Sequence, residues 1–147
     1  MSIRRVLIPI DGTARSMKSV EFIKNEFKPG KAFIKLLMVR EDVIGPLPDS
    51  MLDPAVGELK ERMDETKALL DGYDVEASII FGRAGDEVVK CAKKENMDMI
   101  VMTKSTKKGW VQAIGSVTSY VVKYAPCMVI IVPELGYDVY DKDDKDE

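Results

Sequence analysis

The chain has 147 residues, of which 46% are hydrophobic and 32% are charged, and its formal net charge is −3 at pH 7. This length suits one domain around one core. Acidic and basic residues are interspersed, so nucleic acid and anionic membranes are disfavoured as partners. The chain contains no histidine, which excludes Ser-His-Asp and Cys-His catalytic centres.

No apolar run approaches the length of a transmembrane helix, and the N-terminus leads into a short strand rather than a signal peptide, so we expect a cytoplasmic protein. The two cysteines, Cys91 and Cys127, lie at a spacing that matches no zinc or redox motif. We interpret them as reduced core thiols. No catalytic residue and no metal site is predicted.

The chain begins with a strand, a turn and a helix. Residues 5–10 form an apolar run typical of a strand covered on both faces, and a polar turn at residues 11–13 ends it. Thr13 is the predicted cap of a helix that stops at Pro29. The apolar stripe of this helix consists of Met17, Val20, Ile23 and Phe27.

The next strand is predicted over residues 32–39, an apolar run interrupted only by Lys35. Residues 40–52 have no period and form a mobile connection. Pro54 then begins a second helix, which ends before Gly72. The apolar stripe of this second helix is Leu59, Met63, Leu69 and Leu70.

Residues 75–81 alternate between apolar and polar side chains, which is typical of a half-exposed strand at or near a sheet edge. A turn beginning at Gly82 leads into a third helix that ends near Asn96. The side chains expected to face inward from this helix are Val88, Val89, Cys91 and Ala92. A fourth strand follows over residues 99–102.

The last predicted helix begins after Gly115 and ends at Pro126, and a fifth strand covers residues 127–132. The side chains expected to be buried from this helix are Val117, Tyr120, Val121 and Tyr124. Residues 1–135 are interpreted as the folded domain. Residues 136–147 are rich in Asp and Lys and are predicted to be a disordered acidic tail.

Strands that alternate with helices predict an α/β fold, in which an open parallel sheet carries helices on both faces. Ligands of such sheets bind outside the carboxyl ends of the strands, where the strand order reverses. Asp11, Val39 and Thr103 lie at such ends.

A phosphate site is predicted where the fourth strand leads, through a loop, to the last helix. Gly115 and Ser116 let the backbone approach an anion, and the helix directs its unpaired N–H groups and positive dipole end at that anion. Thr103 and Thr106 oppose this interpretation, because each adds a side chain where a phosphate-wrapping loop usually has glycine.

The chain resembles the universal stress protein family over nearly its whole length. The resemblance lies in VLIPIDGT at residues 6–13, LMV at residues 37–39, Gly82, DMIVM at residues 98–102, GSVT at residues 115–118 and APCMVIIV at residues 125–132. It implies a single-domain five-stranded parallel sheet of order 3-2-1-4-5, with the adenine nucleotide alpha hydrolase-like fold. It also implies a homodimer in which the fifth strands, residues 127–132, pair.

The ATP-binding members of this family have a loop of glycine, two residues, glycine, nine residues, glycine and then serine or threonine. Here Thr103 and Thr106 take the first two glycine positions, and eight residues separate Thr106 from Gly115. The resemblance thus implies a site for ATP or another adenine nucleotide, with or without bound Mg²⁺. Its predicted residues are Pro9, Ile10, Asp11, Val39, Met102, Thr103, Thr106, Gly115, Ser116, Val117 and Thr118.

Each predicted site residue also has a structural interpretation. Asp11 either accepts a hydrogen bond from a nucleoside or only begins a turn, and Val39 is either a wall for a purine or a core residue. Gly115 and Ser116 either hold phosphate or simply start a helix. The nearby cations, which either neutralise a polyphosphate or are merely solvated, are Lys104, Lys107 and Lys108. Trp110 either stacks on a base or anchors the loop.

The fifth strand carries no charge, and an uncharged apolar edge invites pairing with a second copy, unless a loop covers it. Two functions remain open. The first is a dimeric regulatory stress-response module that binds an adenine nucleotide, at most with slow ATPase activity. The second is a dimeric interaction protein of the same fold that has lost nucleotide binding and works through its mobile segment over residues 40–52, with an unknown protein partner. Thr103 and Thr106 favour this second function, and the intact Gly115-Ser116 pair opposes it.

Overall fold

A computed structural model describes residues 3–11, 16–40, 54–103 and 115–133. The strands are β1 (Arg4–Ile10), β2 (Ala32–Arg40), β3 (Asp74–Phe81), β4 (Met99–Thr103) and β5 (Met128–Val132). The helices are α1 (Met17–Glu26), α2 (Pro54–Leu69), α3 (Ala84–Lys94) and α4 (Ser116–Tyr124). No helix in these described ranges is long and apolar enough to cross a bilayer.

The strands form one five-stranded sheet of order β3-β2-β1-β4-β5, in which every neighbouring pair is parallel. This confirms the α/β class and the strand order 3-2-1-4-5. The register aligns Ile10 with Met38 at the end of β1, and Thr103 with Val132 at the end of β4. The carboxyl ends of β1, β2 and β4 therefore share one edge of the sheet.

The sheet separates two apolar cores, because successive side chains of a strand point to opposite faces. Val6 and Ile8 of β1 pack on one face with Val20 of α1 and Met63 of α2. Leu7 packs on the other face, where the partners are Val88 of α3 and Val121 of α4. Helices thus cover both faces, as predicted.

The helices α3 and α4 approach each other closely at Gly85, in the first turn of α3. A Cβ atom at Gly85 would lie 2.9 Å from Cδ1 of Tyr120 and 3.0 Å from its Cβ. Real Cβ atoms do not make such short contacts, so glycine at this position sets the distance between the two helices.

Several predictions about individual residues are wrong. Tyr120 and Tyr124 are 37% and 48% exposed, because the buried face of α4 is formed by Thr118 and Val121 instead. Leu69 is 45% exposed, and its neighbour Leu70 takes the core position. Arg40 belongs to β2 and not to the following connection.

The cysteine prediction is confirmed for Cys91, which is a free and buried thiol, whereas the free thiol of Cys127 is only half-buried. Helix α1 begins directly after Ser16, and Thr13, the predicted cap, lies outside the described residues. Three further predictions concern residues that the structure does not describe. They are the connection over residues 41–52, the loop side chains of Lys104, Thr106, Lys107, Lys108 and Trp110, and the tail over residues 136–147.

Candidate functional site

The described residues line a pocket of about 120 Å³ at the carboxyl edge of the sheet. It lies where β1 has β2 on one side and β4 on the other, which is the point at which the strand order reverses. An apolar cavity of about 150 Å³ admits a benzene ring, so this pocket is of a size for one ring of a ligand. Its lining residues are Pro9, Ile10, Asp11, Ser16, Leu37, Val39, Ala84, Val88, Met102, Thr103, Val117 and Thr118.

Most of the site residues predicted from the sequence lie together in this pocket: Pro9, Ile10, Asp11, Val39, Met102, Thr103, Val117 and Thr118. Ser116 lies outside it, in an adjoining groove, and Gly115 is the residue that precedes the first turn of α4. Thr106 is outside the described residues.

Asp11 follows the last residue of β1, and Ser16 fixes its position. The Ser16 hydroxyl donates to Oδ1 of Asp11 at 2.6 Å and accepts the backbone N–H of Asp11 at 3.1 Å. Ser16 is 4% exposed, whereas Asp11 is exposed. A buried hydroxyl therefore holds an exposed carboxylate at the pocket wall.

Thr118 lines the same pocket and carries an unsatisfied polar atom. The residue is fully buried in the first turn of α4, and its Oγ1 has no hydrogen-bond partner among the described residues. An unsatisfied buried hydroxyl costs about 1–3 kcal/mol, which a ligand that bonds to it would recover. This atom is the strongest indication within the described residues that the pocket receives a polar group.

The N-terminus of α4 adds backbone donors beside Thr118. The first hydrogen bond of this helix joins the Ser119 N–H to the Gly115 carbonyl at 3.0 Å. The N–H groups of residues 116–118 precede it and have no acceptor within the helix, so they and the positive end of the helix dipole suit an anion.

Thr103 ends β4 in the pocket wall, and its side chain is tied to α1. Its Oγ1 lies 2.9 Å from Oγ of Ser19, a fully buried residue. Either hydroxyl is able to donate in this pair. The threonine that stands where a glycine was expected is therefore held in place by a side-chain hydrogen bond.

Sequence reasoning missed four lining residues: Ser16, Leu37, Ala84 and Val88. Leu37 had a signal, because it lies two residues before Val39 and so on the same face of β2. Val88 was predicted to face inward, but only as a core residue. Ser16 and Ala84 had no signal of this kind, since they lie at the starts of α1 and α3, and their place in the pocket depends on where the fold puts these helix ends.

A shallower groove adjoins the pocket between the N-terminal turns of α3 and α4. It is lined by Arg83, Gly85, Asp86, Ser116, Val117 and Tyr120. The hydrogen bond from Lys90 lowers the pKa of Asp86, and the Lys90 Nζ lies 3.0 Å from Asp86 Oδ2. Val117 lines both the groove and the pocket, so the two are adjacent.

The described lining of the pocket contains a single charged side chain, that of Asp11. Its remaining polar side chains are the hydroxyls of Ser16, Thr103 and Thr118. Within the described ranges, no three acidic or cysteine side chains come together in a way that would hold a metal ion.

The sheet and the pocket define the class: a doubly wound α/β protein with a pocket at its topological switch point. The sequence model described as "Universal stress protein family" matches residues 2–133. The chain belongs to the universal stress protein family, and its fold is the adenine nucleotide alpha hydrolase-like fold.

Known relatives agree with this assignment. A universal stress protein of Methanocaldococcus jannaschii is 26% identical over 140 residues, which are 88% of this chain and 81% of that protein. A family member from Arabidopsis thaliana, solved with AMP bound, has a TM-score of 0.62 at 18% identity and covers 88% of this chain and 91% of its own. The universal stress protein of Archaeoglobus fulgidus in complex with dAMP has a TM-score of 0.66 at 17% identity, covering 88% and 97%.

Proposed function

We propose that this protein is a regulatory module of the stress response that binds an adenine nucleotide at the carboxyl edge of its sheet. The observation that carries the proposal is Thr118, which lines the pocket and whose buried hydroxyl has no hydrogen-bond partner among the residues that the structure describes. Because α4 begins at the same place, a phosphoryl group there would meet both the hydroxyl and backbone N–H donors.

The remaining walls suit a nucleoside. Val39 and Met102 offer apolar surface to a ring, and the carboxylate of Asp11 is an acceptor for ribose hydroxyl or base N–H groups. Gly115 and Ser116 complete the predicted anion end. The AMP bound to the Arabidopsis thaliana relative and the dAMP bound to the Archaeoglobus fulgidus relative support this choice of ligand class.

A thermal melting experiment tests the proposal. Ligand at about one hundred times its dissociation constant should add about 2.7 kcal/mol to the free energy of unfolding, or roughly 5–10 °C for a domain of this size. The ligands are AMP, ATP and ATP with Mg²⁺, and GTP is the control for base selectivity. Absence of a shift with every adenine nucleotide at millimolar concentration would contradict the proposal.

A matched pair of variants locates the site. Thr118→Val removes the unpaired hydroxyl and should abolish or strongly reduce the ligand-induced shift. Thr66→Val is the control, since Thr66 is also buried and its hydroxyl donates to the Arg62 carbonyl at 2.9 Å on α2. An equal loss of binding in both variants would show that the pocket is not the site.

The rival function is an interaction protein of the same fold that binds no nucleotide. The observation that favours it is the hydrogen bond between Thr103 and Ser19, which keeps a side chain at the end of β4 where backbone would have to approach a phosphate. The melting experiment separates the two functions, because this rival predicts no shift with any nucleotide.

We further propose a homodimer that forms through β5, within the predicted segment 127–132. Both β3 and β5 are edge strands, but they differ in charge. β3 exposes Asp74 and Glu76, which discourage pairing, whereas β5 has the sequence MVIIV and exposes 61% of Met128. Two copies of β5 related by a two-fold axis would satisfy each other's free backbone groups.

Light scattering of charged variants tests the dimer. Ile130→Lys should give monomers. Ile79→Lys is the matched control, because Ile79 is also half-buried against the same core but lies on the opposite edge strand. The proposal fails if Ile130→Lys remains dimeric, or if both variants become monomeric to the same extent.

A further inference from the structure

We propose that the exposed surface of α3 and α4 binds an acidic segment of the same chain, residues 134–147, which lies outside the described residues. This surface, which we name the α3–α4 surface, consists of exposed basic and aromatic side chains: Arg83, Lys93, Lys94, Tyr120, Lys123 and Tyr124. The inference does not depend on nucleotide binding. Charge, chain length and the order of the side chains support it.

The α3–α4 surface has an excess of positive charge. Residues 83–94 and α4 together hold five cations and two carboxylates. Both carboxylates pair with Lys90, whose Nζ lies 3.0 Å from Asp86 Oδ2 and 3.8 Å from Glu87 Oε1. Helices α1 and α2, on the opposite face of the sheet, hold five cations and six carboxylates and so are nearly balanced. An acidic polypeptide is therefore attracted to the face that α3 and α4 cover.

Residues 134–147 supply the opposite charge. They hold seven of the 25 acidic residues of the chain and two of its 22 basic residues. Their formal charge is thus −5, whereas that of residues 1–133 is +2, which together give the net charge of −3. The acidic character of the chain therefore comes from this segment alone, and the segment and the rest of the chain attract each other. Contacts of this kind need no regular secondary structure in the segment.

Strand β5 directs the segment to one end of the α3–α4 surface. Val132, the last residue of β5, pairs with Thr103 at the carboxyl edge of the sheet. Helices α3 and α4 begin at the same edge, since Ala84 and Val117 line the pocket there. Fourteen residues extend over at most about 46–50 Å, whereas α3, with 11 residues, is about 16 Å long. The segment is therefore long enough to follow either helix from end to end.

The side chains of the segment follow the same order as those of the surface. Residues 134–140 include four apolar or aromatic side chains, and residues 141–147 have the sequence DKDDKDE. On the surface, Tyr120 lines the groove at the N-terminal turns of the helices, and its ring centroid lies 4.6 Å from that of Tyr124. The last turns of the two helices carry three exposed cations: Lys93, Lys94 and Lys123. Aromatic contacts near the carboxyl edge and ion pairs beyond them are thus compatible with one path of the segment.

Zero-length cross-linking of the full chain with a carbodiimide tests the inference, because this reagent joins a carboxylate to a lysine that is in contact with it. Mass spectrometry of the peptides identifies the joined residues. Cross-links from residues 141–147 should reach the lysines of the α3–α4 surface at least about tenfold more often than Lys24 and Lys67, which are exposed on the opposite face. This excess should disappear in about 1 M salt, where the Debye length is about 3 Å. Equal cross-linking of both groups of lysines, or an excess that persists in salt, overturns the inference.

An isotope mixture identifies which chain the bound segment comes from. Unlabelled and ¹⁵N-labelled chains are mixed in equal amounts, unfolded and refolded together, and then cross-linked. If each cross-link joins two peptides of the same label, the segment binds to its own chain and the inference is supported. If many cross-links join a labelled peptide to an unlabelled one, the segment of a second copy occupies the surface, and the inference is overturned.

A charge reversal within the segment tests the contact without a change in the folded domain. In a double variant, Asp143→Lys with Asp144→Lys, the amide NMR signals of the α3–α4 surface should shift relative to the original chain. The control is the double variant Glu61→Lys with Asp64→Lys, which makes the same change of charge at exposed positions of α2. It should leave those signals in place. Unchanged signals in the segment variant, or equal shifts in the control, overturn the inference and leave the surface to an acidic segment of a different protein.

Discussion

The hydroxyl of Ser16 makes two hydrogen bonds with Asp11, one to its carboxylate and one to its backbone N–H. Helix α1 begins at the next residue, Met17, and the Ser16 side chain makes no capping bond to that helix. The hydroxyl therefore bonds to Asp11, at the end of β1, and not to the first turn of α1. It connects the strand to the helix and orients the acidic group of the pocket.

The first prediction is that Ser16→Ala weakens nucleotide binding while the fold is kept. The loss of a part-buried hydrogen bond should lower the free energy of unfolding by about 1–2 kcal/mol, and the released carboxylate should lower AMP affinity by about tenfold. Urea denaturation and calorimetry measure the two effects. Ser119→Ala, at an exposed position of α4, is the control. Unchanged AMP affinity in Ser16→Ala would show that the hydrogen bonds between Ser16 and Asp11 do not contribute to AMP binding.

The second prediction concerns the spacing of α3 and α4. Gly85→Ala should destabilise the protein by about 1–3 kcal/mol, because its Cβ would meet Tyr120 at 2.9 Å. Gly57→Ala in α2 should instead stabilise it by about 0.5–1 kcal/mol, since nothing lies within 4 Å of its Cβ and alanine favours the helix. Denaturant midpoints measure both variants, and a stabilising Gly85→Ala would refute the packing argument.

Sequence patterns were sufficient for the fold because each strand is marked by its apolar run and each helix by its periodic stripe. The prediction failed at Tyr120 and Tyr124, where large side chains at helical spacing suggested a buried face. The small residue Gly85 allows Tyr120 to lie across α3 near the surface, and this is a tertiary contact between residues 35 positions apart. Periodicity along one helix contains no information about it.

The candidate site was predictable where its residues follow strands, as Asp11, Val39 and Thr103 do. The partners of these residues were not. That Ser16 holds Asp11, and that Ser19 holds Thr103, depends on how α1 packs against the sheet. Thr118 was predicted as a residue of the nucleotide site, but the missing hydrogen-bond partner of its hydroxyl becomes visible only in three dimensions.

The third prediction concerns Lys35, a charged residue in the middle of β2. Its side chain is 7% exposed, and its Nζ lies 2.6 Å from Oε1 of Glu76 and 3.5 Å from Oε2 of Glu95. Burial by itself lowers the pKa of Lys35, but these two carboxylates together raise it above 10.5. The hydrogen bond from Lys35 lowers the pKa of Glu76 below 4.5, helped by the lysine charge.

The sign of the pH dependence follows from these directions. A lowered carboxyl pKa stabilises the fold above the unfolded value, and this stabilisation is lost as the pH falls through the folded pKa. The raised pKa of Lys35 makes its contribution complete below 10.5 and lost above the folded value. The ion pair of Lys35 with Glu76 therefore stabilises the fold throughout the pH range between the lowered pKa of Glu76 and the raised pKa of Lys35.

Glu76→Gln should accordingly lower the free energy of unfolding by at most about 1 kcal/mol near neutral pH, because the Glu76 side chain is 56% exposed. The difference from the original chain should shrink in acid below the usual carboxyl pKa. Urea denaturation across this pH range measures it. The control is Glu58→Gln, which removes the exposed pair of Glu58 with Arg62 and should change stability by no more than about 0.5 kcal/mol. If the two free energies of unfolding still differed in acid, the stabilising role assigned to the ion pair of Glu76 with Lys35 would be contradicted.

The fourth prediction is that Cys91 does not react with thiol reagents while the protein is folded. Burial, reinforced by its hydrogen bond to Glu95, raises the pKa of Cys91 to about 12, and its Sγ donates to Glu95 Oε2 at 3.1 Å. About 1 thiol in 10,000 is then ionised at pH 8, and the thiolate is the reactive form. In a Cys127→Ser variant, Ellman's reagent should release almost no chromophore from the folded protein and one equivalent after unfolding in guanidinium. Rapid release from the folded variant would mean that α3 opens around Cys91, because neither the buried thiol nor its pKa would otherwise permit the reaction.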